Sequence, residues 1–329
     1  MNRNEFLQQT AMDEHPDQED CVLCALASRG LIRVGGEDAR DFLQGQLTND
    51  INAVTAEQAQ LSAWCNPKGR MLALFLVFMH DGDLYLQLPR ERLDAVLKRL
   101  RMFVLRARVV LEDVSDDLVI AGAAGACLEE TITRLPGKDL GAVTSDDLTL
   151  IRLPGEQPRI QVVGTADAVN AFRQRMANRA ATASEDWWTL QNIRAGLPEV
   201  LDATAEAFIP QMVNLDVLEG ISFTKGCYTG QEVVARMKYL GQLKRRMYLA
   251  RATGNSPMSP GDSLWSPHSQ SAQGAGKVVL AARLPDGSQE ALAVAEISVA
   301  GAGGIRLHDG QGPEITLDAP PYEIPELQE

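Results

Sequence analysis

The residues best suited to chemistry lie in one run, Lys225-Gly-Cys-Tyr-Thr-Gly-Gln-Glu232. Thr229 and Glu232 have the spacing of a helix capping box. Val233 to Leu240 reads as the helix that follows, and Gly241 ends it. Thr229 is therefore the expected N-cap, with Cys227 just before a helix N-terminus. That end of a helix carries partial positive charge and free N–H groups. Lys225 adds a full positive charge two residues away. Both favour thiolate over thiol, the state in which a cysteine attacks or binds metal. Gly226 and Gly230 remove bulk on either side, which lets a ligand or partner approach the backbone. Cys227 is thus the expected reactive group and Lys225 its electrostatic activator. A small buried cysteine in a tight turn is the competing reading, and the electropositive setting argues against it. Glu232 is accounted for by the cap.

The bulk of the chain restricts the function class. Its 329 residues suit two or three packed units, and 45% hydrophobic with 23% charged residues suits a globular protein. Forty-four acidic against 31 basic side chains give a net charge of −13. That charge repels a phosphate backbone, so no direct nucleic-acid binding is expected. The most basic region, Arg92, Lys98, Arg99 and Arg101 with Arg106 and Arg108, reads as a solvated helix face. Met1 to Asp20 lacks the apolar core of a secretion signal. The longest apolar run, Met71 to Met79, is too short to span a bilayer. A cytoplasmic protein without a membrane partner is expected.

Five cysteines in a chain this long predict reduced thiols rather than a disulfide framework. Cys21 and Cys24 have ligand spacing but no second pair, and a four-cysteine cluster pattern is missing. The four histidines are scattered. No metal held by this chain alone is expected.

Several elements must position the Cys227 segment. Residues 1–28 open as a polar tail, in which Cys21 to Ala27 reads as a short helix or strand. Leu31 to Val34 predicts a strand, Glu37 to Gln46 a helix, and Asn66-Pro-Lys-Gly69 a turn. Arg70 to Met79 and Leu84 to Leu88 predict a hairpin around Asp81-Gly-Asp83. Arg90 to Arg101 has the apolar spacing of an amphipathic helix. A second strand–helix–strand unit starts near residue 115. Trp187 to Ala195 predicts a helix ended by Gly196-Leu-Pro198. After Met247 short strands predict a small β-barrel, with Gly254 to Gly276 as a long loop.

The Lys225–Glu232 run, with Val234-Ala-Arg236 behind it, resembles the signature of the YgfZ family. These proteins are folate-binding relatives of the glycine-cleavage T-protein, an aminomethyltransferase. Phe42-Leu-Gln-Gly-Gln-Leu-Thr-Asn-Asp50, Cys65-Asn-Pro-Lys-Gly69, Ile193-Arg-Ala-Gly-Leu-Pro198 and Phe208-Ile-Pro-Gln211 are similar to further family segments, over about Leu31 to Met247. The resemblance implies an α+β, T-protein-like fold. Two mixed α/β subdomains with antiparallel sheets, 29–114 and 115–246, and a C-terminal β-barrel, 247–329, would surround a central folate-binding opening. It implies tetrahydrofolate or a one-carbon derivative as cofactor. It also implies a role with iron–sulfur proteins or their assembly machinery, and through them in tRNA modification. Lys225 and Cys227 match the family's key lysine and cysteine. Trp188 matches an aromatic of the folate site, where a flat apolar ring can stack; core packing is the other reading. Tyr228 is expected to wall the folate beside it, and Arg236 to meet its carboxylate tail.

Two departures separate the chain from the T-protein pattern. Ala73 and Leu74 stand where that pattern has two aspartates, and neither can move a proton. T-protein-type aminomethyl transfer is therefore not expected, although a one-carbon transferase is the alternative function. Arg194 stands where the pattern has a pterin-binding glutamate, and is the remaining expected folate-site residue. An interaction module without folate is the third reading.

Overall fold

Met71–His80 and Asp83–Pro89 form the expected hairpin. Asp81 and Gly82 both take positive φ, 48° and 85°, as a two-residue turn matched to strand twist requires. These strands are two of the three inner members of a five-stranded sheet with the order Gln60–Cys65, Met71–His80, Asp83–Pro89, Arg29–Gly35, Val110–Asp113. The unbroken apolar run of Met71–His80 reflects burial along nearly its whole length. This is a computed structural model, described for residues 3–10, 16, 21–145, 147–239, 241–252, 256–272 and 274–324. Its chain divides into two units. One joins Met1–Ser62 to Phe75–Trp188, the other Ala63–Leu74 to Thr189–Glu329.

A six-stranded sheet fills much of the first unit. Its order is Ala180–Ala183, Cys21–Ala25, Val119–Ala124, Arg159–Gly164, Leu148–Leu153, Ala142–Ser145. Only its first two strands pair in parallel. One face shares a core with the hairpin sheet, where Val22, Ile120 and Ile151 meet Leu31, Phe78 and Tyr85. Two polar bridges cross that core. Gln87 donates to Gln161 at 3.0 Å, and His80 Nδ1 meets the Thr149 hydroxyl at 2.8 Å. Such groups tolerate burial because they are paired. The opposite face is covered by the Ala166–Met176 helix through Val169, Phe172 and Met176.

The opening residues are not all tail. Arg3–Thr10 is helical, Phe6 packs into that second core, and Cys21–Ala25 is an interior strand. Cys21 is disulfide-bonded to Cys127, with Cα atoms 5.9 Å apart, inside the range such a bond needs. The expectation of reduced thiols therefore holds only for Cys24, Cys65 and Cys227. Tertiary packing alone brings together two cysteines 106 residues apart. Part of the basic region is also tied down: Arg101 donates to the Leu111 carbonyl, and Arg108 pairs with Glu37 and Asp38.

The second unit ends in a closed antiparallel barrel of Arg245–Ala252, Gln289–Glu296, Gly276–Arg283, Ser263–Trp265, Ile305–Leu307 and Glu314–Asp318. The expected α+β fold with a C-terminal barrel is therefore present. Gly254 to Gly276 is not simply a loop, because Ser263–Trp265 lies within it and closes the barrel. Three residues are too few for a periodic pattern to register. The barrel core uses small side chains, Ala250, Ala291, Ala293 and Ala295, as a narrow six-stranded closure needs. Among the described residues, no helix is long and apolar enough to cross a membrane.

Arg246, 6% exposed, ties the barrel's first strand to the chain before the Cys227 segment. It makes a two-pronged ion pair with Asp216 at 2.6 and 3.0 Å and donates to the Gln211 carbonyl. Asp216→Asn leaves a buried guanidinium uncompensated and should cost about 3 kcal/mol, measured by urea denaturation. An unchanged midpoint would show that the pair contributes nothing.

Candidate functional site

The helix behind the cysteine starts at Gln231 and runs to Tyr239. Gln231 N–H donates to the Tyr228 carbonyl at 3.2 Å, and Val234 N–H to the Gly230 carbonyl at 3.3 Å. Gly230 therefore takes the capping position expected of Thr229. The capping box does not form; Glu232 pairs instead with Arg236 at 2.6 Å, one turn ahead. Gly230 has φ 86°, a left-handed conformation that glycine adopts without steric cost. The Gln231 side chain reaches back to the Gly226 carbonyl at 3.4 Å.

Packing explains the choice of Gly230. A Cβ there would lie 2.5 Å from the Asn66 carbonyl oxygen and 3.1 Å from Gly69 Cα. A Cβ on Gly69 would meet Val233 at 2.9 Å. Gly230 thus serves a backbone-to-backbone contact rather than the approach of a ligand. Gly226 is different, with nothing within 4 Å of its missing side chain. The turn pressed on Gly230 is itself clamped. Asn66 Oδ1 accepts from the Lys68 and Arg70 amides at 2.9 and 3.1 Å, while its Nδ2 donates to Glu206 at 2.8 Å. Met71 N–H donates to the Phe208 carbonyl, and Gln211 Nε2 to the Val234 carbonyl at 2.6 Å. Three segments distant in sequence, Cys65–Gly69, Phe208–Gln211 and the Cys227 run, are one structural unit.

Within that unit Tyr228 is the anchor, only 7% exposed. The Lys225 ammonium lies 5.4 Å from the centroid of its ring, a cation–π contact. Burial pushes the Tyr228 hydroxyl above its ordinary range, with Cys65 a second cause. Burial also pushes the Cys65 thiol up to about 12. Both groups are protonated at neutral pH. Cys227, beside Tyr228, is exposed, whereas the free thiols Cys24 and Cys65 are buried. Phe223 and Tyr239 stack edge to face at 6.2 Å, with the Lys238 ammonium 3.8 Å from the Phe223 centroid. Tyr239 is largely exposed. The sequence marked Cys65 only as the start of the Cys65–Gly69 segment, and it did not mark this aromatic pair.

The other expected folate-site residues stand on helices, Trp188 and Arg194 on Glu185–Arg194 and Arg236 on Gln231–Tyr239. Arg236 points outward on the helix and is shared with Glu232. Arg194 holds Glu290 through two bonds of 2.9 and 3.1 Å. Trp188 belongs to the first unit and is 1% exposed. Its ring lies on Gly122, where a Cβ would approach it to 2.4 Å, and the Arg159 guanidinium sits 5.3 Å from it. Here the ring is core packing. Ala73 and Leu74 are both buried in the Met71–His80 strand. Among the described residues, no three His, Cys, Asp or Glu side chains cluster to hold a metal ion.

No family model matches the chain. Over 309 residues it is 32% identical to the tRNA-modifying protein YgfZ of Yersinia enterocolitica, covering 93% of each chain. The chain belongs to the YgfZ family. The family's Sodalis glossinidius member is 31% identical over 310 residues, covering 93% of this chain and 94% of its own. The Colwellia psychrerythraea member is 31% identical over 273 residues, covering 82% and 83%. Among solved structures, the glycine cleavage system aminomethyltransferase T of Bartonella henselae matches with a TM-score of 0.66. It is 13% identical and covers 96% of this chain and 88% of that one. The fold is thus shared with the T-protein at a distance where identity says nothing of chemistry.

Two outcomes test these placements. Iodoacetamide at neutral pH should modify Cys227 in the native protein and spare Cys24 and Cys65 until unfolding, read by peptide mass mapping. Equal labelling of all three would refute the buried placements. Trp188→Ala should cost about 3–5 kcal/mol of stability, the range for a core aromatic, in a denaturant titration. A loss below about 1 kcal/mol would exclude a core role.

Proposed function

We propose that this chain is an accessory protein in iron–sulfur cluster assembly or repair, with Cys227 as its reacting group. In that role it supports the cluster-dependent modification of tRNA. The observation that carries the reading is the pairing of an exposed thiol with an unobstructed approach. Nothing lies within 4 Å of the missing Gly226 side chain on one side of Cys227, and Tyr228 on the other side is buried and holds the loop. A thiolate is the natural ligand of cluster iron, and a cluster needs about four such ligands. One cysteine therefore suits brief, shared contact with a cluster carried by a partner. The exposed Tyr239 and the cation-backed Phe223 next to the loop suit contact with a protein surface.

Tetrahydrofolate enters this proposal from the family resemblance alone. The residues expected to hold it fit poorly. Trp188 has no free face, Tyr228 little surface, and Arg194 is neutralised by Glu290. Only the Arg236 guanidinium is open, shared with Glu232. No step is routed through folate. Aminomethyl transfer of the T-protein kind is disfavoured by Ala73 and Leu74, which place no acid or base at those two positions.

The test is complementation of cells lacking the chromosomal copy, scored by the modified nucleosides that iron–sulfur enzymes make in tRNA. Cys227→Ala should abolish complementation and Lys225→Gln should weaken it, with both proteins folded. In calorimetric titration with tetrahydrofolate, Cys227→Ala should keep its affinity within about twofold, under ~0.5 kcal/mol. Full activity of Cys227→Ala would sink the proposal.

A further inference from the structure

Large apolar side chains are mostly buried in this protein, and the exceptions are not scattered. Among the described residues six are exposed, and four of these, Met102, Phe103, Leu105 and Val110, fall within nine residues. Leu105 is 87% exposed and Met102 67%. Exposed apolar residues gathered in one place mark a surface that meets something. The same stretch is singular in charge. Between Asp94 and Glu112 the chain has five basic residues and no acid, in a sequence with 44 acidic side chains.

Fraying of a helix end does not account for the exposure. Phe103 N–H donates to the Leu100 carbonyl at 3.0 Å and Val104 N–H to the Arg101 carbonyl at 3.2 Å, which fixes the exit from the Arg90–Arg101 helix. At the other end, Arg108 N–H donates to Asp38 Oδ2 at 2.8 Å, and the Arg108 carbonyl accepts from the Asp38 amide at 3.3 Å. Gly36 makes room for that return, because a Cβ there would strike the Arg108 carbonyl. Met102 and Leu105 are therefore presented by a segment held at both ends, which lowers the ordering cost of an encounter. The cations divide into two sets. Arg101 is engaged by the Leu111 carbonyl, and Arg108 by Glu37 and Asp38. Lys98 and Arg106 make no ion pair among the described residues.

Charge also selects the class of partner. An anionic bilayer or a nucleic acid meets the field of the whole chain, net −13, and is repelled. A protein groove meets only the tip. Charges farther off than about 8 Å are largely screened at physiological salt, so the cations of the tip dominate there. Four apolar side chains make a small contact, of the kind found in transient complexes.

We propose that the Met102–Val110 segment docks into an apolar groove of a partner protein whose carboxylates flank the groove and meet Lys98 and Arg106. The test places a photoreactive benzophenone amino acid at Leu105 of the full chain, in cells lacking the chromosomal copy. Irradiation should give a conjugate with another protein, attached within a few residues of Asp or Glu as read by peptide mass mapping. Lys98→Glu combined with Arg106→Glu should lower its yield at least fivefold. Lys98→Arg combined with Arg106→Lys should keep it within twofold, with circular dichroism confirming the fold of both. Support requires the acidic attachment site and the charge dependence together. Absence of a conjugate would overturn the proposal. So would attachment to lipid, RNA, a second copy of this chain or a segment without acids, or a yield indifferent to charge reversal in folded protein.

Discussion

The position of Cys227 depends on a contact between two backbones that have no side chains, Gly69 and Gly230. The Asn66–Gly69 turn approaches the start of the Gln231–Tyr239 helix so closely that a single methyl group on Gly230 would strike the Asn66 carbonyl. Gly230 also takes a φ that disfavours any other residue. Sterics and backbone conformation therefore impose the same residue. Because the helix cannot slide or rotate against the turn, the residues before it leave along a fixed path. Asn66 extends this constraint by satisfying two amides of its own turn and bonding Glu206.

A buried phenol next to an exposed thiol is the second consequence. Tyr228 is seated inward while Cys227, its neighbour, is exposed. The Lys225 ammonium over the Tyr228 ring keeps a cation near the loop without burying its charge. Cys65 shows the contrast. It has the same functional group and lies beneath the same tyrosine, but its environment holds it as a neutral thiol. Placement, not residue type, separates the exposed thiol from the buried one.

Long, periodic elements were legible in the sequence. The Arg90–Arg101 helix, the hairpin turning at Asp81 and Gly82, and the barrel strands around Pro285-Asp-Gly287 follow from local pattern and turn chemistry. The prominence of Cys227 was legible too, through its glycines and its lysine. What local pattern could not carry was the use made of each residue. Thr229 and Glu232 have the spacing of a capping box, yet Gly230 takes the N-cap because tertiary contact with Gly69 requires a glycine there. Trp188 matches a ligand-stacking aromatic in type and position, yet Gly122 opens a slot in the sheet that receives it. The Cys21–Cys127 bond and the short Ser263–Trp265 strand depend on partners far along the chain and leave no local trace.

The chain shares the T-protein fold, and its residues at three positions of the T-protein pattern are held in ways that suit the surrounding core. Where the T-protein pattern has aspartates, Ala73 and Leu74 lie 1% and 5% exposed within a strand. An ionised carboxylate at such a depth needs a paired cation or a hydrogen-bonded setting to be tolerated. Removing the carboxylates frees the strand to pack as plain core. Where the same pattern has a glutamate, Arg194 is matched by Glu290 on a barrel strand, so the reversed charge is answered inside the same unit. The ion pair joins the helix end to a barrel strand. A residue neutralised in that way is a poor ligand-binding group and a good brace. With no proton-transfer group at Ala73 or Leu74 and the arginine engaged, Cys227 stands out as the free cysteine that solvent reaches.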